Sequence, residues 1–146
     1  MKRTRIRKKG KSESAKIQQK LWELCRQIIR KRYPNICYTC DATGLKGANW
    51  HTGHMWAKGS LHALLKYDLR ILRPQCYRCN MILGGMGAIF YEKMLKEEGK
   101  KYMQALDQAR WEDKNVVLKS TDHYLNLIES YTQILKELNE RTNKKL

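Results

Sequence analysis

Apolar residues recur at helical spacing in four stretches of the chain. The first stretch, residues 16–32, predicts an amphipathic helix that ends near Pro34. Similar patterns predict helices over about residues 88–98, 101–111 and 122–141, with Gly99 as the stop between the second and the third. The fold we expect is therefore mainly α-helical.

The two outer helices carry the clearest apolar faces. In the first helix that face includes Cys25, which we interpret as a small buried hydrophobe. In the last helix the stripe has two interpretations, packing against the core or the seam of a dimer. Its members are Leu125, Ile128, Tyr131, Leu135 and Leu138.

Residues 35–80 lack regular periodicity but contain two Cys-x-x-Cys pairs, Cys37/Cys40 and Cys76/Cys79, with 35 residues between them. Each pair places two thiolates on one side of a tight turn, and two such turns complete the tetrahedral sulfur site that structural zinc prefers. The alternative interpretations of these cysteines are a redox pair and an iron–sulfur cluster. We expect short strands and loops stapled by Zn²⁺.

Charge indicates the kind of partner. Thirty Lys and Arg against 14 Asp and Glu give a formal charge of +16, which favours a polyanionic partner. Nucleic acid is the leading candidate. The alternatives are a basic surface that only aids solubility, a ribosome-associated protein and a protein attracted to membranes. We find neither a signal peptide nor a membrane span in the pattern, so we expect a cytosolic or nuclear protein whose cysteines bind metal. The start of the chain, residues 1–15, is predicted to be a basic disordered tail.

Histidines and an asparagine accompany the cysteine frame. His51 and His54 lie between the two pairs, and Asn80 follows the second pair directly. Phosphodiester cleavage needs a base to activate water and a cation to neutralise charge on the phosphate. An imidazole supplies such a base near neutral pH, and a second imidazole or an amide oxygen can bind a cation.

The order Cys-x-x-Cys, Gly-His, Cys-x-x-Cys-Asn resembles that of zinc-stapled HNH (ββα-metal) nucleases. Three longer runs, residues 50–54, 65–68 and 75–80, resemble the phage NinG (Rap) recombination proteins. The similarity covers roughly residues 20–110. It implies an α+β fold, mainly helical, with a small zinc-bound ββα-metal module, and it implies the host cytoplasm as location.

The resemblance also implies a function, namely a metal-dependent endonuclease that acts on branched, Holliday-type DNA in phage recombination. By position, His54 would be the general base, while Asn80 and His51 would hold a catalytic Mg²⁺ or Mn²⁺. A resolvase makes two symmetric cuts, so a homodimer is the expected assembly. The nuclease core would span residues 16–118, followed by a C-terminal helix over 119–146.

This sequence departs from the family pattern at two positions. His51 stands where an acid is usual, which suits Mn²⁺, Ni²⁺ or Zn²⁺ better than Mg²⁺. Ile71 stands where a middle Asn is usual, and Asp68 is the nearby carboxylate that could serve as a ligand. Two other functions therefore remain open: a non-catalytic zinc protein that binds junctions or single strands, and a sequence-specific HNH homing or restriction nuclease.

Basic and aromatic side chains surround the predicted site. Phosphate contacts are predicted for Lys46, Lys58, Lys66, Arg70, Arg73 and Arg78. Trp50, Trp56 and Tyr77 either stack on unpaired bases or pack against the zinc module. His62 and His123 lack a supporting pattern and receive no role.

Overall fold

The computed structural model describes residues 10–144, so most of the predicted basic tail lies outside the described residues. Four α-helices, one two-stranded antiparallel sheet and five short helical turns make up the regular structure of this part of the chain. The helices are α1 (Glu13–Arg32), α2 (Gly87–Glu98), α3 (Lys100–Asp113) and α4 (Asp122–Asn143), and the strands are β1 (His51–His54) and β2 (Leu72–Gln75). The expected mainly helical character is confirmed.

Helix α1 begins earlier than its apolar pattern indicates. The Ser12 hydroxyl accepts a hydrogen bond from the Ala15 amide at 3.2 Å, which caps the helix and brings residues 13–15 into it. The helix ends at Arg32, directly before Tyr33-Pro34, as predicted. Cys25 is fully buried on its inner face, and burial raises the pKa of that thiol to about 12. The interpretation of Cys25 as a small core residue is confirmed.

Helix α4 lies against α1 and completes the core. Ile128 and Tyr131 are buried, and the Tyr131 hydroxyl donates a 2.7 Å hydrogen bond to the Tyr67 carbonyl. Leu135 and Leu138 pack against the same core, whereas Leu125 is 46% exposed. Most of the apolar stripe is therefore used for core packing within the chain.

The segment between the two strands consists of short 3-10 turns and loops, and α3 and α4 both hold it. The Asp113 carboxylate, at the end of α3, accepts hydrogen bonds from the amides of His62, Leu64 and Leu65 at 2.7–3.3 Å. The helix predicted over about residues 101–111 continues to Asp113, whose carboxylate is buried and satisfied by these bonds. The segment is thereby fixed as it returns to β2.

The two strands pair in the register His51 with Gln75 and His54 with Leu72. Strand β2 is buried along its whole length, and Ile71 just before it is fully buried. This pairing sets the histidine strand directly beside the chain that leads into the second cysteine pair. Over residues 10–144, no helix is both long and apolar enough to cross a membrane.

Candidate metal centre and histidine cavity

The four cysteines of the two Cys-x-x-Cys pairs meet in one cluster. The Sγ atoms of Cys37, Cys40, Cys76 and Cys79 all lie within 4.8 Å of one another. Sulfurs bound at about 2.3 Å around a tetrahedral zinc lie roughly 3.8 Å apart, and the Cys40 and Cys76 sulfurs are 3.8 Å apart. The cluster therefore fits a zinc ion with four thiolate ligands.

Hydrogen bonds favour the thiolate at Cys37, whereas burial raises the pKa of the Cys79 thiol to about 12. Burial would raise the pKa of the Cys37 thiol, but backbone N–H groups around it, foremost that of Cys76, and the Thr39 hydroxyl lower the pKa to about 6. The Cys79 amide lies 3.4 Å from the Cys76 sulfur. Deprotonated sulfur is the form that binds metal, so this backbone is arranged for a metal site.

Gln75 connects the cluster to the histidine strand. Its Nε2 donates hydrogen bonds to the Thr39 hydroxyl at 3.0 Å and to the Gly85 carbonyl at 2.8 Å. The side chain passes directly under Gly53, where a Cβ atom would come within 1.8 Å of Oε1. Gly53 therefore leaves room for the Gln75 side chain to cross β1. Through its hydrogen bonds, Gln75 fixes the cluster, the strand pair and the glycine turn relative to one another.

A cavity of about 490 Å³ lies along strand β1, lined by His51, Thr52 and His54, and we call it the histidine cavity. The side chains that concern its chemistry are Trp22, His51, His54, Lys58, Asn80 and Met81. Within the described chain, its charged lining residues besides histidine are Arg26 and Lys58, and neither Asp nor Glu lines it. Such a lining favours an anionic ligand.

His51 and Asn80 form a pair at this cavity. The His51 Nε2 is 2.9 Å from the Ala48 carbonyl, which can only accept, so this nitrogen carries the proton. The other nitrogen, Nδ1, is consequently an acceptor and lies 3.0 Å from Asn80 Nδ2. The structure thus brings together two residues that are 29 positions apart in the sequence.

His54 is buried, and two groups hold its ring. Its Nε2 lies 2.9 Å from the Lys66 carbonyl, so Nε2 carries the proton and Nδ1 keeps its lone pair. The imidazole stacks on the Trp22 indole at 5.1 Å between ring centroids, with an angle of 9° between the planes. Lys58 Nζ lies over the same indole at 4.9 Å. Burial, followed by the charges of Lys58 and Lys66, lowers the pKa of His54 to about 4, although its hydrogen bond to the Lys66 backbone raises it.

The structure does not bring every predicted residue to the cavity. Asp68 lines a different cavity and is paired with Arg70, whose guanidinium binds both carboxylate oxygens at 2.6–3.0 Å. The expectation that Asp68 serves as a metal ligand beside His51 and Asn80 therefore needs correction. Arg70 remains partly exposed, but its charge is compensated locally.

Arg73 also requires correction as a phosphate contact. Its side chain is only 3% exposed, its guanidinium lies 4.7 Å above the Tyr33 ring, and it pairs with Glu98 at 3.7 Å. It holds the strand against α1 and α2 instead. The other predicted basic residues keep accessible side chains, and these are Lys46, Lys58, Lys66 and Arg78.

The aromatic residues near the site differ in their roles. Trp50 and Trp56 pack within the fold, beneath the guanidinium groups of Arg30 and Arg110. Tyr77 is 49% exposed and contacts the edge of His51 at 5.5 Å. Trp50 packs against the cysteine cluster, whereas Trp56 packs against the main core, and both also line the histidine cavity. Tyr77 remains available at the surface.

Several groups that shape the cavity escaped the sequence analysis. Trp22 lies in α1, about thirty residues before His54, and the pattern offers no sign that it covers the histidine. The acceptor that orients His54 is a backbone carbonyl, which no side-chain motif can indicate. Asn49 lies next to the motif, and its Oδ1 accepts the Tyr77 amide at 2.9 Å.

Together these features define a mainly helical protein with a small two-stranded sheet and a four-cysteine cluster that fits zinc. The family model described as Bacteriophage Lambda NinG protein matches residues 1–141, so the chain belongs to the NinG family. The match extends beyond residues 20–110 and includes the basic start and most of α4. No curated protein and no solved structure matches the chain significantly.

Proposed function

We propose that this chain is a metal-dependent endonuclease that cuts branched DNA in phage recombination. The observation that carries the proposal is the state of His54. It is a neutral imidazole with a free Nδ1 lone pair, set in a basic cavity beside the His51–Asn80 pair. Membership of a phage family and the charge of +16 support DNA as the substrate.

His54 serves as the general base. The bond to the Lys66 carbonyl fixes the tautomer, and the Trp22 stack fixes the plane of the ring, so Nδ1 is presented in one orientation. A bound phosphate would bring negative charge beside the ring and raise the pKa of His54 from its low value. The pKa of the base then lies closer to the pH at which the enzyme would work.

His51 and Asn80 are the residues that would hold a catalytic cation. Rotation of the Asn80 amide would turn its oxygen toward the same side as the His51 Nδ1 lone pair. An imidazole and an amide oxygen without a carboxylate fit Mn²⁺ or a later transition ion better than Mg²⁺. When bound, such a cation neutralises charge on the phosphate and acidifies water.

Lys58 and Arg26 supply positive charge at the cavity, and Lys46 and Arg78 extend it on the surface. In protein–DNA interfaces, such residues contact the backbone and position it without reading bases. The residues therefore suit recognition of DNA structure rather than of sequence.

The test is cleavage of labelled four-way, forked and linear DNA with the same arm sequences, with Mg²⁺ and Mn²⁺ in parallel. We expect wild type to cut branched DNA in a metal-dependent manner, with Mn²⁺ the better cation. His54→Ala should lower the cleavage rate by a factor of about 10²–10⁴ and keep DNA binding. His62→Ala, which alters a histidine outside the cavity, should cut like wild type.

A second function is favoured by the cavity lining, which offers a cation no carboxylate among the described residues. A non-catalytic protein that binds junctions would need only the basic surface and the zinc-fixed fold. Tight junction binding by wild type without cutting in either metal would establish that function and reject the endonuclease.

A further inference from the structure

Three consecutive large apolar residues are exposed beside the histidine cavity. Met81, Ile82 and Leu83 are 59%, 66% and 41% exposed, and we call them the apolar ridge. Three successive apolar side chains in water are a feature that folded surfaces avoid unless they have a function. Core packing does not account for them.

The ridge occupies a defined position relative to the cavity. Met81 lines the cavity, as do Gly84 and Gly85 on the other side of the ridge. Ile82 and Leu83 lie between these lining residues in the chain, at the end of the short helical turn Arg78–Ile82. Asn80, which pairs with His51, directly precedes the ridge.

The ridge is held rigidly rather than carried on a loose loop. The Leu83 amide donates to the Arg78 carbonyl at 2.9 Å, and the Gly85 amide donates to the Cys79 carbonyl at 2.8 Å. Both bonds tie the ridge to the turn that carries the second cysteine pair. Gly84 and Gly85 take positive φ angles of 66° and 90°, which lets the chain reverse sharply behind the ridge.

We propose that the apolar ridge inserts between bases that are unstacked at the branch point of DNA. Apolar side chains such as Met, Ile and Leu act as wedges between base steps, and a branch point offers steps whose stacking is already disrupted. This inference rests on the proposed DNA function and assigns the part of the surface that distinguishes branched from linear DNA.

Charge favours bases over an apolar protein surface as the occupant. The exposed Arg78 lies in the same turn, and Lys58 lines the same cavity as Met81. Apolar groups flanked by cations complement bases flanked by phosphates, because the cations remain paired when the apolar groups are covered.

The test compares two double variants that remove similar amounts of exposed aliphatic surface. Ile82→Ser with Leu83→Ser alters the ridge, and Val117→Ser with Leu125→Ser is the matched control, at residues that are 83% and 46% exposed. For each protein we would measure the Kd for a four-way junction and for a linear duplex of the same sequence, without added divalent cation. A 2-aminopurine at the branch point reports unstacking.

We expect the ridge variant to bind the junction about tenfold more weakly, because the unstacked bases lose their apolar contacts with the protein. Its affinity for linear duplex should change less than twofold, and the rise in 2-aminopurine fluorescence seen with wild type should disappear. The control should behave like wild type, and equal zinc content and helical circular dichroism would show that all three proteins are folded.

Unchanged junction preference in the ridge variant would overturn the proposal, as would an equal loss on both DNAs. A change in sedimentation without a change in DNA preference would make the ridge a contact between copies and also overturn it. These results are independent of cleavage. If the ridge determines junction preference but wild type does not cut DNA, the endonuclease is rejected and the wedge is kept. If wild type cuts branched DNA but the ridge variant keeps its junction preference, the wedge is rejected and the endonuclease is kept.

Discussion

The cysteine cluster and the histidine cavity both adjoin the strand pair, but the residues that build them are drawn from different lengths of the chain. All four sulfurs come from two short turns, residues 37–40 and 76–79, whose own backbone amides surround them. His54 is instead positioned by Trp22 on α1 and by the Lys66 carbonyl in the segment between the strands. The cluster is a local structure, and the cavity is a tertiary one.

Through Gln75, the cavity depends on the cluster more than the cluster depends on the cavity. It bonds to Thr39 beside the cluster and to Gly85 at the edge of the cavity, so the position of the cavity depends on the cluster. The reverse dependence is weaker, since no group of the cavity ligates or caps the cysteine sulfurs in the part of the chain that the structure describes. Damage at the cluster should therefore spread to the cavity, whereas damage at the cavity should stay there.

Removing a cysteine ligand gives the largest expected effect. Cys76→Ala should abolish zinc binding and unfold residues 35–86, because a structural zinc contributes on the order of 10–16 kcal/mol, as much as the whole stability of a typical domain. Zinc content by atomic absorption and thermal unfolding by circular dichroism measure this. Cys25→Ala, which alters the cysteine outside the cluster, should retain a single zinc ion. Wild-type protein purified without any metal would contradict the prediction.

A methyl group at Gly53 tests the connection between the two regions. Gly53→Ala should lower the free energy of unfolding by about 2–4 kcal/mol, because Gln75 is fully buried and must give up two hydrogen bonds to make room. Urea unfolding measures the loss. Gly59→Ala is the control, since a Cβ there meets nothing within 4 Å. If both variants unfold at the same urea concentration, Gln75 does not link the regions as described.

The same difference explains what the sequence could predict. Spacing alone identified the four cysteines, because a Cys-x-x-Cys turn defines its geometry locally, and the family motif identified His51, His54 and Asn80 as neighbours. Composition suggested that Arg73 was a surface cation and that Asp68 was a possible ligand. In the folded chain Arg73 is buried against the Tyr33 ring and Asp68 is paired with Arg70, and the sequence pattern does not show either contact. Long-range partners such as Trp22 leave no local signal in the sequence.

The stability of the protein should depend on pH through His54. Because folding lowers the pKa of His54 from 6.5 to about 4, the unfolded chain binds a proton more readily, and stability present above pH 6.5 is lost as the pH falls toward 4. At pH 4.5 the loss attributable to this group is about 2–3 kcal/mol. Urea unfolding at pH 7 and 4.5 should show a smaller difference for His54→Gln than for wild type. Equal differences would mean that other groups, such as the zinc thiolates, cause the whole effect.

The smallest expected effect concerns the indole that covers the base. Trp22→Ala should expose the His54 ring to water and raise its pKa by about one unit, because burial is the main cause of the low value. Trp22→Phe should keep the pKa near that of wild type, since a ring still covers the imidazole, and Trp111→Ala removes an exposed tryptophan as a control. Titration of the His54 Cε1 proton by NMR measures the pKa in all three variants, and zinc content should stay unchanged throughout.

A raised pKa with intact zinc would establish that the cavity can be altered without the cluster. A loss of zinc in Trp22→Ala would show that the dependence runs in both directions.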